Sequence, residues 1–350
     1  MNIEERLHYI SELSDESLKN QSIIEKKNVE NAKGLYKKYT DIKKILEDTY
    51  YDAVTRVCPW YTDHGKKHIE SIIKTASNMI EPQYSQFNEL ELYIFLSSII
   101  WHDVGMVIAR ANHEQIVNEE MKKFNLILGK DFLIMAAINK IVRAHTGPYK
   151  FESLNTAEII EYNGKTYEVN VRALAAMLRL ADEISEDYNR IDKKLLDEEM
   201  VPEENMIYWE FADSVKLSYP NPKRSCIDLK ITIEKEKVLR KYFYNDTKIP
   251  HEGNEIQFFD YILWRIDKIN KERIMCSPEI RQYSTLNCLK ITIAIVNGYD
   301  ELKSDEIILD EKYLIGNQSN FVDAFYEKET DWSKDNIQHI IVEEGNENEE

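Results

Sequence analysis

The sequence predicts a mostly α protein with a helical N-terminal arm, a helical bundle and a smaller C-terminal α+β domain. Three observations lead there. Apolar residues recur at helical spacing up to about residue 200; the segment from Leu90 to His102 is apolar almost all round, as in a helix buried at a domain centre; and after about residue 203 the apolar period changes from 3.6 to 2. The expected boundaries are 1–50 for the arm, 51–202 for the bundle, 203–340 for the α+β domain and 341–350 for an acidic tail.

The arm is charged, with a sparse stripe of Ile23, Ile24, Leu35, Tyr36, Ile42 and Leu46 that hints at a homodimer. In the bundle, His64 and His68 share a face if a helix begins near Asp63. His102 and Asp103 end the apolar helix. The next helix starts at Asn112, a favourable N-cap, which puts His113 on a face with Ile116 and Val117. From Phe132 onward the stripe is Ile134, Ile138, Ile141 and His145, and from Val171 it is Val171, Leu174, Leu178 and Asp182. Arg172, Arg179, Glu183, Glu186 and Arg190 occupy the polar side of that last helix, where solvation accounts for them. Three strands are expected beyond it, carried by Ile207/Trp209/Phe211, Ile227 to Ile233 and Leu289 to Ile295, with a helix through Phe259, Ile262, Leu263, Ile266 and Ile269 between the last two.

Composition sets the class. A chain of 350 residues with 43% hydrophobic and 11% aromatic residues is globular, and long enough for one large and one small core. The start Met1-Asn2-Ile3-Glu4-Glu5 lacks a signal peptide's pattern, and no apolar run looks close to the roughly 18 residues a membrane span needs, so a cytoplasmic location without membrane attachment is expected. Cys58, Cys226, Cys276 and Cys288 have no C-x-x-C spacing and are read as reduced. The formal charge of −18 repels long polyanions, which makes extended nucleic acid a poorer partner than a small phosphorylated substrate.

The chemistry concentrates between His64 and Asp182. Five of the chain's 8 histidines fall between His64 and His145, and imidazoles with carboxylates are the ligands that borderline and hard divalent metals take. Each residue also has an ordinary reading. The His64/His68 pair can be incidental, His102-Asp103 can be a hydrogen-bonded cap, His113 and His145 can be satisfied core histidines, and Asp182 can pair with an arginine. A buried, unpartnered aspartate costs several kcal/mol, so Asp182 demands a cation, a metal or strong donors. The joint occurrence of these residues on successive helices favours metal.

The order H…HD…H…D resembles the HD superfamily of metal-dependent phosphohydrolases. The stretches Tyr61-Thr62-Asp63-His64-Gly65…His68, Trp101-His102-Asp103-Val104-Gly105-Met106, Arg143-Ala144-His145 and Arg179-Leu180-Ala181-Asp182-Glu183 look most like its HD-CE branch, associated with bacterial conflict systems. The resemblance covers about residues 50 to 200 and implies an HD-type bundle. It implies that His68, His102, Asp103 and Asp182 hold a principal divalent ion (Mn, Mg, Fe, Ni, Co or Zn), with Asp103 bridging to a second. His113 and His145 sit where two-metal members place further ligands or phosphate-contacting histidines. His113 follows Asp103 by only ten residues, closer than in many such members, which leaves one or two ions open. His64 resembles the proton-donating histidine of related phosphodiesterases.

Water activated by the cation would attack a phosphoryl group, with Asp103 fixing the metal and His64 or His113 donating a proton. Arg110, Arg143 and Lys67 are candidates for phosphate contact, with surface ion pairing or solvation as their alternatives. The leading expectation is hydrolysis of a nucleotide or another small phosphomono- or diester. A defence nuclease cutting DNA or RNA, and a non-catalytic nucleotide- or metal-binding sensor, are the alternatives.

Overall fold

A computed structural model describes residues 1–13, 23–80, 83–109, 112–124, 131–146, 151–244, 254–310 and 321–343. The chain divides into two compact units. The first comprises Met1–Pro59, Asp63–Ser185 and Cys276–Thr285; the second comprises Trp60–Thr62, Glu186–Met275 and Leu286–Glu350.

The first unit is helical. Helices α1 (Ile3–Ser11) and α2 (Ile23–Leu46), a π turn at Glu47–Tyr51 and α3 (Asp52–Val57) lead into α4 (Lys66–Ile80), α5 (Glu89–Trp101), α6 (His113–Lys122) and α7 (Phe132–Ala144). A hairpin of β1 (Glu158–Tyr162) and β2 (Lys165–Val169) precedes α8 (Val171–Ile184). Helix α5 is the axis. Every one of its residues is buried, from Glu89 to Trp101, as its all-round apolar character requires. Helices α1, α2, α4, α7 and α8 all contact it. The arm's stripe is used here: Leu35, Ile42 and Leu46 are buried and Tyr36 is half-buried, while the side chains of Ile23 and Ile24 lie outside the described ones.

Asn88 starts α5 with a capping box, its side chain accepting from the Leu90 and Glu91 amides while Glu91 accepts from the Asn88 amide. The stretch Glu89–Val107 turns out long and apolar enough to cross a membrane by length and composition, contrary to the sequence reading. It is almost wholly enclosed by the unit, as the central helix of a bundle is. The hairpin was not foreseen either. Its turn is Asn163-Gly164, both at positive φ (47° and 69°), the pairing a two-residue hairpin prefers. Tyr167 on β2 donates to buried Glu89 at 2.6 Å and accepts from Asn31 of α2 at 2.7 Å, tying hairpin, α5 and α2 together.

In the second unit, α9 (Lys193–Asp197) and α10 (Glu203–Ser214) precede β3 (Val215–Asn221) and β4 (Cys226–Glu234). Short α11 (Lys235–Val238), β5 (Lys241–Phe243) and β6 (Glu255–Gln257) follow, then α12 (Phe258–Ile280), β7 (Cys288–Asn297), β8 (Asp300–Leu309), α13 (Phe321–Lys328) and α14 (Lys334–Glu343). The sheet order is β3-β4-β7-β8, with β4 and β7 parallel and the outer pairs antiparallel. Ile227, Leu229, Ile231 and Ile233 of β4 and Leu289, Ile291, Ile293 and Ile295 of β7 form its buried face, as their alternation predicts.

The expected strand at Ile207/Trp209/Phe211 is a helix instead. Its apolar period of 2 has a physical cause: α10 is covered on two sides. Trp209 packs with Leu196 and Val201, while Phe211 meets Tyr261 with ring centroids 5.9 Å apart. Glu203 and Glu204 in its first turn complement the helix dipole. The cysteine reading is also corrected, because Cys226 and Cys288 are register partners on β4 and β7 and are joined by a disulfide. Cys58 is half-buried and Cys276 is buried. Of the expected acidic tail, residues 341–343 close α14 and the rest lie outside the described residues.

Candidate metal centre

The candidate residues converge in the first unit. Asp63 starts α4: its carboxylate accepts from the Gly65 amide at 3.2 Å and from the His68 amide at 3.1 Å, so the helix begins at Lys66. His64 therefore precedes the helix and does not share its face, against the sequence reading. Its ring still lies 5.5 Å from that of His68, centroid to centroid. His68, on the first turn of α4, is fully buried.

His102 and His145 occupy equivalent positions, each following the last residue of an apolar helix. His102 Nδ1 lies 2.7 Å from the Ile99 carbonyl, and His145 Nδ1 makes the corresponding bond to Val142. A carbonyl only accepts, so each Nδ1 carries a proton and each Nε2 is the nitrogen turned inward, toward Asp103. Its Oδ2 lies 3.0 Å from His102 Nε2 and 3.8 Å from His68 Nε2, while its Oδ1 lies 3.0 Å from His113 Nε2 and 3.7 Å from His145 Nε2. Asp182 Oδ1 completes the first group, 3.2 Å from His68 Nε2 and 3.9 Å from His102 Nε2.

Two sets can hold a cation: His68, His102 and Asp182, and His102, Asp103 and His145, each with its ligand atoms within 4.8 Å of one another. The residues fit such an ion chemically. His102 Nε2 is buried and makes no well-formed hydrogen bond, although a carboxylate oxygen stands 3.0 Å away. A lone pair facing a carboxylate is repulsive unless a proton or a metal lies between them. Burial works against a charged His102, yet Asp103 and Asp182 raise its pKa to about 9. Burial likewise opposes ionisation of Asp103, and the charge of His102, with His113 and His145 beside it, holds that carboxyl well below the ordinary range. Asp182 is lowered too, its burial outweighed by His68 and His102. The cluster thus sets two carboxylates against buried imidazoles, a donor set that a divalent ion would suit.

Access comes from one side. His68, His102 and His145 have side chains at most 1% exposed, whereas Asp103 is 10%, His113 13% and Asp182 28% exposed. Asp182 therefore sits at the rim, less buried than its apolar stripe suggested.

The proposed phosphate contacts stand apart from this cluster. Lys67 and Arg143 are exposed, and Arg143 lies about 200° around α7 from His145 at roughly 100° per residue. Arg110 lies outside the described residues. The expected polar side of α8 is also corrected: the helix ends at Ile184, so Glu186 and Arg190 lie beyond it, and Arg179 and Arg190 are buried, Arg179 over the Phe151 ring at 5.8 Å, while Arg172 donates to the Leu154 carbonyl at 3.1 Å through Nε.

Two residues that the sequence reading met beside candidate ligands, without giving them a role, take part. Glu114 places a carboxylate oxygen 3.9 Å from His113 Nδ1, on the side away from Asp103. Gly105 packs against the backbone of His113: a Cβ built on it would stand 2.1 Å from the His113 carbonyl oxygen. The only signal for either was adjacency to a candidate ligand.

A helical unit that gathers four histidines and two aspartates from helix ends has the buried His/Asp donor set of an HD-type domain, a set that could hold a metal ion. The HD-CE family model matches residues 58–264, more than half the chain and further toward the C-terminus than the expected limit near residue 200, and the chain belongs to that family. No curated protein and no solved structure matches it.

Proposed function

We propose that the protein is a metal-dependent phosphohydrolase acting on a nucleotide or another small phosphoester. One observation carries this reading: the two oxygens of Asp103 face different groups, Oδ2 toward His68 and His102 and Oδ1 toward His113 and His145. A carboxylate so placed could serve two cation positions at once. Divalent ions, when bound, supply Lewis acidity toward water and toward the phosphoryl oxygens. His68, His102, Asp103 and Asp182 would hold the first position; Asp103, His145 and also His113, whose Nε2 lies 3.0 Å from Asp103 Oδ1 and 3.4 Å from His145 Nε2, would hold the second. Asp182, the most exposed of these ligands, would be the one nearest an approaching substrate. His64, half-buried and beside His68, donates a proton to the leaving oxygen. Lys67 and Arg143 attract the anionic substrate as exposed cations rather than as fixed clamps.

The test offers nucleotides, cyclic nucleotides, a chromogenic phosphodiester and single-stranded DNA to the protein with manganese, magnesium, nickel or cobalt, beside Asp103→Ala. Release of phosphate or nucleoside monophosphate by the wild type alone is the expected result. Cleavage of DNA in place of nucleotides would move the reading to a defence nuclease. Inactivity with every metal would favour a sensor.

A further inference from the structure

The two cation positions are not built alike. The first draws its ligands from α4, α8 and the end of α5, three elements in mutual contact through the buried core. The second depends on His113, the first residue of α6, a helix that starts from Asn112 in the left-handed region (φ 58°) with no side-chain cap. What fixes His113 is its packing against the turn at Val104–Val107, the 3-10 segment that follows Asp103. At the point of contact stands Gly105. Its ideal Cβ would lie 2.1 Å from the His113 carbonyl oxygen, 2.8 Å from its carbonyl carbon and 3.2 Å from its Cα. These are backbone atoms, so no rotamer change relieves the overlap.

We infer that Gly105 is a positioning residue for the second cation: by lacking a side chain it lets the HD turn close onto the His113 backbone, which brings His113 Nε2 to Asp103 Oδ1. The inference rests on the metal reading of the site and adds to it that occupancy of the second position is set separately from the first. The geometry gives the scale. A methyl group at 105 must open the contact from 2.1 Å to at least 3.0 Å, a displacement of about 0.9 Å at the residue whose Nε2 now lies 3.0 Å from Asp103 Oδ1. Metal–ligand distances tolerate only about 0.2 Å. Asp103 serves both positions, but the atoms that a methyl group would overlap are all backbone atoms of His113, so the strain falls first on the second position.

Manganese binding to the full chain, read by calorimetry and by electron paramagnetic resonance, tests this. The wild type is expected to take up two Mn(II) with an exchange-coupled spectrum. Gly105→Ala is expected to take up the first ion with its Kd within twofold of wild type, to bind the second about 10- to 100-fold more weakly, and to show the uncoupled signal of an isolated ion. His113→Ala, which removes the imidazole and leaves the backbone alone, should match it. Adding Gly105→Ala to His113→Ala should change nothing further in metal binding. Retention of two coupled ions by Gly105→Ala overturns the inference. So does loss of both ions, or of the fold, in Gly105→Ala, since that marks a general packing role. A wild type that binds one ion refutes the inference and leaves the first position standing; a wild type that binds none refutes the proposed function as well.

Discussion

Metal uptake should be a proton exchange centred on His102. Without an ion, the nearby carboxylates hold its pKa at about 9, so at pH 7 it carries a proton on Nε2, facing Asp103 at 3.0 Å. A cation needs that lone pair and must expel the proton. The magnitude follows from the gap between pH 7 and pH 9. Two units correspond to about 2.7 kcal/mol, so the apparent affinity at pH 7 lies about 100-fold below its high-pH limit and rises nearly tenfold per unit in between. Calorimetric titration of Mn(II) in buffers of different ionisation enthalpy should report about one proton released per first ion at pH 7. A release near zero, with affinity flat from pH 6.5 to 8.5, would refute the argument that the metal-free site is held together by this imidazolium.

The same shift fixes a sign for stability. His102 is raised above its ordinary 6.5, so its contribution to the metal-free protein is complete below pH 6.5 and is lost as pH rises through about 9, up to about 3 kcal/mol in all. Asp103 and Asp182 are lowered, so theirs is present above the ordinary carboxyl range and is lost as pH falls through their folded values. The metal-free protein should therefore melt at its highest temperature between about pH 4 and pH 6.5. Saturating manganese should extend that plateau upward.

Two further expectations are simpler. His64→Ala should keep its metal content, measured by elemental analysis, while kcat falls about 10²- to 10⁴-fold, as removal of a general acid does; unchanged kcat would assign the proton elsewhere. Tyr167→Phe removes a donor to buried Glu89 and an acceptor for Asn31, and urea denaturation should register a loss of about 1–3 kcal/mol with metal affinity unaltered.

Much of the fold could be read in the sequence where one element buries one face. Helix α5 is apolar all round and is buried all round; β4 and β7 alternate and bury one side each. Reading failed where an element meets two neighbours or where a distant residue decides. Helix α10 resembles a strand because Trp209 and Phe211 enter different clusters. The Cys226–Cys288 pairing depends on the parallel register of strands 62 residues apart, which no local pattern encodes. Arg179 and Arg190 read as solvated because their helical phase is polar, yet both are buried. The six candidate ligands were readable because five of them belong to stripes or helix ends whose other members are apolar. Gly105 was not, since a close approach between two backbones leaves no trace in composition or period.

Helix ends suit this chemistry for a reason beyond convenience. The last carbonyls of α5 and α7 fall outside the regular i to i+4 ladder and have spare acceptor capacity, even where, as at Val142, the capping residue's own amide donates to them. His102 and His145 satisfy them through Nδ1, at Ile99 and Val142, and in doing so lose their choice of tautomer. One hydrogen bond thus closes the helix and aims Nε2 at Asp103. The partial negative charge at each helix C-terminus makes the imidazole a better donor to a cation. Glutamine at 102 could still donate to a carbonyl but would present no imidazole lone pair, so it is the histidine ring, with two nitrogens on opposite edges, that couples termination of the core helix to assembly of the site.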